Sequence, residues 1–262
     1  MSNKFLNTMR SLKNRGGKII YSPKEIILGV KTLLMYTNYK LAQNKIKFLS
    51  KLPFDEFKRL SEFRNGLITQ EMGDFLQDNP DYTSKFNEWM YSQSTPEGIF
   101  DVSLKIYEKL SKLINNNRSI KTFIDLGCNS GDVVHNVSQM GIDAVGVDLP
   151  LLINRIKLPI QTMALDLNRQ FPTGTYDIVF CRETIEHISD PDNLLECCEQ
   201  ITRPESFLFI SCPYTNRQYV LNAFHLRVLS RDQLTFMVER HGFKVFEIFA
   251  EHESNVIIAQ KK

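Results

Sequence analysis

The chain has 262 residues, of which 42% are hydrophobic and 24% charged, with a formal net charge of +2. These values exclude a wholly disordered chain and a collagen-like one, and allow one large domain or one domain with an appendage. No run of 18 or more uncharged apolar residues is present, so no transmembrane helix is expected. The near-neutral sum hides an asymmetry. Residues 1–51 hold eleven Lys or Arg and one acid, Glu25, for a charge of +10. The rest holds 21 basic and 29 acidic residues, for −8. Two regions with different roles are expected.

The first twenty residues lack the continuous apolar core of a secretory signal. They are basic and acid-free, the character of an organelle transit peptide or of a solvated basic tail. Ser22-Pro23-Lys24-Glu25 offers a capping Ser and a Pro at the first helical position. Ile26, Ile27, Val30, Leu33, Leu34, Leu41 and Ile46 follow at roughly helical spacing. A basic amphipathic helix of this kind can lie on an anionic membrane surface, contact nucleic acid phosphates, or pack on an acidic domain. Pro53, Gly66, Gly73 and Asn79-Pro80 punctuate the next part. Residues 96–114 are again amphipathic, and Asn115-Asn116-Asn117 marks a boundary.

After residue 120 the pattern changes. Strands are expected at 122–126, 144–147, 160–164, 177–181, 207–212, 244–249 and 255–259. Helices fit between them, most clearly at 191–201 and 231–240. Ser230 and Gln233 form a capping-box signature, and Gly242 ends that helix. The alternation implies an α/β fold with a mostly parallel sheet and helices on both faces. The last two runs are joined by too few residues for a parallel crossover, so they form an antiparallel pair. The five cysteines, Cys128, Cys181, Cys197, Cys198 and Cys212, include no C-x-x-C pair. A reducing, cytoplasmic setting is expected, and a cysteine-built zinc site is not.

The most informative segment is Phe123-Ile124-Asp125-Leu126-Gly127-Cys128-Asn129-Ser130-Gly131-Asp132. A buried strand runs into a tight turn before a helix, where ligands of such folds bind. No G-x-x-x-x-G-K-[S/T] and no G-x-G-x-x-G is present, and the acid before the turn disfavours a phosphate. It favours a cationic ligand. The combination resembles the class I S-adenosylmethionine-dependent methyltransferases, whose turn carries an acid and then three small residues at alternate positions. Asp125, Gly127, Asn129 and Gly131 fill those places. Asn129 replaces a glycine, and Asn is the residue after Gly most tolerant of left-handed φ. The resemblance implies that Asp148, at the end of the second strand, binds the ribose hydroxyls and that Asp166, after the third, lies near the adenine. It further implies a Rossmann-like seven-stranded sheet with an antiparallel last strand over 119–262. Residues 1–118 form a helical, basic extension and cap.

After the fourth strand comes Arg182-Glu183-Thr184-Ile185-Glu186-His187. On one helical turn, Glu183, Glu186 and His187 share a face. Two carboxylates and an imidazole facing one point require a cation or a proton between them. His225 follows in Phe224-His225-Leu226-Arg227. The run E-x-x-E-H with a later His resembles the O-methyltransferases of ubiquinone biosynthesis and the small-RNA 3′-end 2′-O-methyltransferases. That resemblance implies metal ligation by Glu183, Glu186, His187 and His225, with Mg²⁺, Mn²⁺ or Zn²⁺ suited to the donor set. Without a metal, His187 or His225 is the candidate general base, with Glu186 beside them. The loop Cys212-Pro213-Tyr214-Thr215-Asn216-Arg217-Gln218-Tyr219 is expected to border the acceptor pocket. Trp89, Tyr91 and Pro96-Glu97-Gly98 precede the fold at the place where relatives close over the donor, and these aromatics also suit a core.

The expected activity is S-adenosylmethionine-dependent O-methylation of a hydroxyl on a small molecule or sugar. An RNA acceptor, a lipid-linked acceptor at a membrane surface engaged by residues 1–51, and a donor-binding protein without turnover are the alternatives.

Overall fold

The computed structural model describes residues 53–55, 75–93, 104–214, 225–251 and 254–262. The chain divides into two units, Met1–Phe48 and Leu49–Lys262, and the described residues belong to the second. The basic segment 1–51, the Pro96-Glu97-Gly98 turn and most of the 212–219 loop lie outside the described residues.

Helices α1 (Pro80–Gln93) and α2 (Leu104–Asn116) precede the sheet. Then come β1 (Thr122–Leu126), α3 (Asp132–Gln139), β2 (Asp143–Asp148), α4 (Pro150–Ile153), β3 (Gln161–Ala164) and β4 (Tyr176–Cys181). A 3₁₀ turn (Ile185–His187), α5 (Pro191–Gln200), β5 (Thr202–Pro213), α6 (Arg231–Arg240), β6 (Phe243–Glu251) and β7 (Ser254–Lys261) complete the order. All seven expected strands form. The sheet runs β3-β2-β1-β4-β5-β7-β6. Pairs among β1 to β5 are parallel, while β7 is antiparallel to both β5 and β6.

Period-two alternation sorts the central side chains onto two faces. Ile124, Val179, Leu208 and Ile210 meet α5 and α6 through Leu194, Leu195, Leu234 and Val238. Phe123, Phe180 and Phe209 face the other way, against Ile106 and Leu110 of α2 and Val134 and Val137 of α3. Those three rings form a row across β1, β4 and β5, with centroids 5.9 and 6.0 Å apart. All five cysteines are buried and free, and burial pushes each thiol up, Cys197 to about 12. They act as small core hydrophobes.

Three local expectations are corrected. Ile160 lies outside β3, which is a short edge strand; its side chain instead packs against the turn at Gly131. Asn79-Pro80, read as punctuation, opens α1, with the Asn79 carbonyl accepting from Tyr82 and Thr83 N–H and Pro80 at the first helical position. β5 begins at Thr202, five residues before the apolar run. The Ser230–Gln233 capping box is present in full. Among the described residues, no helix is long and apolar enough to cross a membrane.

Candidate active site

The site lies at the carboxyl ends of the parallel strands, where the chain leaves β1, β2, β4 and β5. The donor half is built on the turn after β1. Gly127, Asn129 and Gly131 have φ of 89°, 46° and 80°, so all three small positions are left-handed. A Cβ on Gly127 would fall 2.2 Å from Thr184 Oγ1, a clash in addition to the strained φ. Thr184 Oγ1 itself donates to the Leu126 carbonyl at 2.9 Å, tying the turn after β4 to the end of β1. A Cβ on Gly131 would fall 2.4 Å from Ile160 Cδ1. Gly127 and Cys128 N–H both donate to the Val147 carbonyl, at 2.8 and 3.0 Å, which sets the turn against β2.

Asp148 caps that arrangement. Its Oδ2 accepts from Asn129 N–H and its Oδ1 from Leu149 N–H, both at 2.7 Å. Each carboxylate oxygen has a second lone pair, so the group can still accept from ligand hydroxyls. Burial raises Asp148 to about 6, although its two backbone donors pull it down. Asp125 is 3% exposed. Burial, with the neighbouring Asp148 charge, raises it to about 8 despite Arg182. Two buried acids with raised pKa values at one turn fit a cationic, hydroxyl-bearing ligand such as S-adenosylmethionine. Asp166 follows β3, with Oδ1 accepting from Asn168 N–H at 3.0 Å and Oδ2 3.6 Å from Arg169 Nε. It shapes its own turn.

The reacting half is the segment between β4 and α5. The structure brings Glu186, His187 and His225 together, with one ligand atom from each within 4.8 Å of the others. Glu186 Oε1 lies 3.8 Å from His187 Nε2 and 4.0 Å from His225 Nε2. The two imidazoles meet edge to face, centroids 5.1 Å apart. Glu186 is fully buried, and among the described residues neither carboxylate oxygen has a hydrogen-bond partner. Burial, reinforced by the charge of Glu183, holds its pKa well above the usual carboxylate range. A buried, unsatisfied carboxylate between two imidazoles fits a divalent cation by the chemistry of its donor set.

The expected single helical face for Glu183, Glu186 and His187 does not form. Only Ile185–His187 coils, as one 3₁₀ turn, and Glu183 precedes it at φ 50°. The chain must reverse direction at the end of β4, and Thr184 is pinned there by its bond to Leu126. Glu183 therefore turns toward β5, where its Oε1 accepts from Ser211 Oγ at 2.6 Å and its N–H donates back to Ser211 Oγ at 3.1 Å. It acts on Glu186 through charge and stands outside the three-residue cluster.

Helix α1 adjoins the cluster through Tyr91, singled out in the sequence, and Asn87, which was not. Ser84, Asn87 and Tyr91 recur along one side of α1, with Ser84 and Asn87 buried. Asn87 Nδ2 donates to the His187 carbonyl at 3.1 Å, and the Tyr91 ring stands edge-on to His187 with centroids 6.3 Å apart. The Tyr91 carbonyl accepts from Arg155 Nη1 at 2.9 Å, on the α4 side. Burial and the charges of Asp148 and Glu186 push the Tyr91 phenol far up. It thus lies in the field of both halves. Arg227, Ser211 and Thr184 were not singled out in the sequence.

Comparison with known proteins agrees with this geometry. The methyltransferase-domain family matches residues 101–248. Ubiquinone biosynthesis O-methyltransferases are similar: that of Acinetobacter baylyi is 30% identical over 102 residues, 35% of this chain and 43% of the relative. That of Pectobacterium carotovorum is 27% identical over 138 residues, 48% of this chain and 56% of the relative. The chain thus spans about half the length of these curated relatives. Among solved structures, a protein described as a sarcosine dimethylglycine methyltransferase from Galdieria sulphuraria superposes with a TM-score of 0.51 at 11% identity, covering 70% of this chain and 99% of that one. A structure of the Haloferax volcanii Trm112 activator with a methyltransferase gives 0.51 at 13% identity, covering 67% and 97%. At such identities the likeness shows the fold alone. With the matched family covering more than half of the chain, and with the strand order and left-handed turn described above, the chain belongs to the methyltransferase-domain family and to the class I S-adenosylmethionine-dependent methyltransferases.

Proposed function

We propose that the protein is an O-methyltransferase that acts on a hydroxyl of a small molecule or sugar, assisted by a divalent metal. The observation that carries this reading is Glu186, a fully buried carboxylate with no hydrogen-bond partner among the described residues, set between His187 and His225 beside the donor turn. The names of the similar ubiquinone biosynthesis enzymes support oxygen as the accepting atom.

When bound, the donor supplies an already activated sulfonium methyl, so the chain's task is alignment. Asp148 would accept from the ribose hydroxyls, and its bonds to Asn129 and Leu149 fix the direction of its carboxylate. Asp125 sets negative charge behind the turn, and Asp166 is assigned to the adenine side. Glu186, His187 and His225 would hold a metal, with Glu183 charging the same site from its seat on Ser211. Such an ion would lower the pKa of an acceptor hydroxyl and fix its orientation. In the absence of metal, His187 or His225 takes the hydroxyl proton.

The test is turnover after chelation and metal add-back, read by mass spectrometry with phenolic and sugar acceptors. Restoration by Mg²⁺, Mn²⁺ or Zn²⁺ is expected, and full activity in the stripped enzyme overturns metal assistance. Donor binding by calorimetry without turnover on any acceptor, RNA and lipid-linked glycans included, favours a binding protein.

A further inference from the structure

His225 reaches the site on a strap, residues 225–230, that forms neither helix nor strand. Hydrogen bonds fix it in place. Leu226 N–H donates to the Glu186 carbonyl at 2.8 Å, and the Leu226 carbonyl accepts from Gln77 Nε2 at 2.8 Å. Arg227 makes more bonds than either. Its Nη1 donates to the Ile185 carbonyl at 3.1 Å and also to the Ile188 carbonyl. Its Nη2 donates to the Ser189 carbonyl at 2.7 Å. Those carbonyls bracket the 3₁₀ turn that carries Glu186 and His187. A turn this short ties itself down with few bonds of its own, here His187 N–H to Thr184 and Ile188 N–H to Ile185.

Among the described residues Arg227 has no carboxylate within ion-pair distance, although Glu186 and Asp190 act on it through charge. Burial lowers its pKa, yet a guanidinium stays charged. A half-buried cation that directs its fork at three carbonyls costs desolvation. An apolar side chain of similar length would fill the space without that cost. What the fork supplies is a fixed distance between two segments that share no secondary structure, one bearing Glu186 and His187, the other bearing His225.

We propose that Arg227 is the positioning residue of the metal centre, its guanidinium clamping the 185–189 turn to the His225 strap so that Glu186, His187 and His225 converge on one ion. The inference rests on the metal reading above. Lysine cannot substitute, because its single nitrogen cannot span three carbonyls with a planar fork.

The test titrates Zn²⁺ into the full chain against a chromophoric chelator and titrates S-adenosylhomocysteine separately by calorimetry. Arg227→Lys is expected to weaken Zn²⁺ by roughly 10–100-fold, the range for partners that orient metal ligands. S-adenosylhomocysteine affinity stays at the wild-type value, since the donor turn is held by other bonds. Arg227→Gln separates geometry from charge: a purely electrostatic Arg227 repels the ion, so its removal would tighten Zn²⁺, whereas the clamp predicts weakening. In a His225→Ala background, Arg227→Lys adds no further loss, because the strap then carries no ligand. Variants that bind S-adenosylhomocysteine normally and hold Zn²⁺ as tightly as wild type overturn the clamp and leave the metal reading standing. Loss of S-adenosylhomocysteine binding in both variants assigns Arg227 to the fold alone and overturns it too. A wild-type chain that binds no Zn²⁺ overturns the metal reading, and the clamp with it.

Discussion

Donor binding is predicted to expel a proton, and Asp125 is the group that loses it. Its carboxyl moves from 3.8 to about 8 on folding, chiefly by burial and then by the Asp148 charge. At pH 7 a group of pKa about 8 is roughly nine-tenths protonated, so a cationic donor drawing out the carboxylate releases close to one proton. At pH 9 the release falls to about a tenth of a proton by the same reckoning. The stability consequence has a definite sign. Between pH 4 and 8 the unfolded chain ionises Asp125 while the fold keeps it neutral, so the unfolded chain binds fewer protons and stability falls as pH rises. The loss at pH 7 has a ceiling on the order of 4 kcal/mol. Asp125→Asn removes it but buries an amide at a cost of about 1–3 kcal/mol, leaving a net gain of about 1–3 kcal/mol. Urea unfolding of the ligand-free protein at pH 5, 7 and 9 reads this gain, which is largest at pH 9 and least at pH 5. Calorimetry of donor binding in phosphate and in Tris reads the proton, since the two buffers differ in ionisation enthalpy. A binding enthalpy identical in both buffers at pH 7, or an Asn variant less stable than wild type at pH 9, refutes the reasoning.

Gly127→Ala should destabilise the domain by about 2–3 kcal/mol, from left-handed strain of about 1–2 kcal/mol and a displaced Thr184 hydroxyl bond of about 1 kcal/mol, and abolish donor binding; wild-type unfolding midpoints would contradict it. Glu186→Gln should eliminate Zn²⁺ binding while raising the melting temperature of the metal-free protein at pH 7, because it removes a buried acid that the fold keeps protonated and the unfolded chain ionises. A lower melting temperature would show that the carboxylate is compensated. Tyr91→Phe should leave both limbs of the pH–rate profile in place, since a phenol pushed this far up keeps its proton throughout the working range. A limb lost in the variant would make Tyr91 the base. For the segment 1–51, co-sedimentation with anionic vesicles at low salt, reversed by added salt, is the outcome expected of a membrane-surface helix of charge +10. Failure to pellet removes that reading.

How far the sequence discloses this molecule depends on whether local chemistry and tertiary demand coincide. They coincide in the central strands, where Phe123, Phe180 and Phe209 alternate with Ile124, Val179 and Leu208, so burial on both faces is written as an apolar run. They coincide in α6, whose capping box is local. They coincide at Asn129, where the side chain's tolerance of left-handed φ preserves the turn without a glycine. They diverge in α1. Its inward side carries Thr83, Ser84 and Asn87, all buried, so the usual apolar stripe is interrupted by polar groups, of which Asn87 meets the site. The run from Glu183 to His187 diverges for another reason. Its i, i+3, i+4 spacing is meaningful only if the chain coils there, and the reversal after β4 leaves room for a single 3₁₀ turn. Arg227 is the extreme case: its partners are backbone carbonyls, which no residue pattern announces.

The electrostatics show what this architecture is arranged to hold. Asp125, Asp148 and Glu186 are all buried, and all have raised pKa values with burial as the leading cause. A domain selected for stability alone would replace such groups with apolar ones of similar size. Here they sit at the two places where a cation is expected, the donor turn and the histidine cluster. Arg182, at the end of β4, lowers both Asp125 and Glu186, so one charge acts on both halves. That cation only partly offsets the burial, and both carboxyls remain raised. A bound cation lets the nearby acid ionise at lower cost, so part of the folding free energy lost to burial returns as ligand affinity. The same logic explains why α1 turns polar groups toward the reacting half: Asn87 binds the backbone of His187 and Tyr91 feels the charges of both Asp148 and Glu186, where an apolar wall would have deepened the desolvation of both acids.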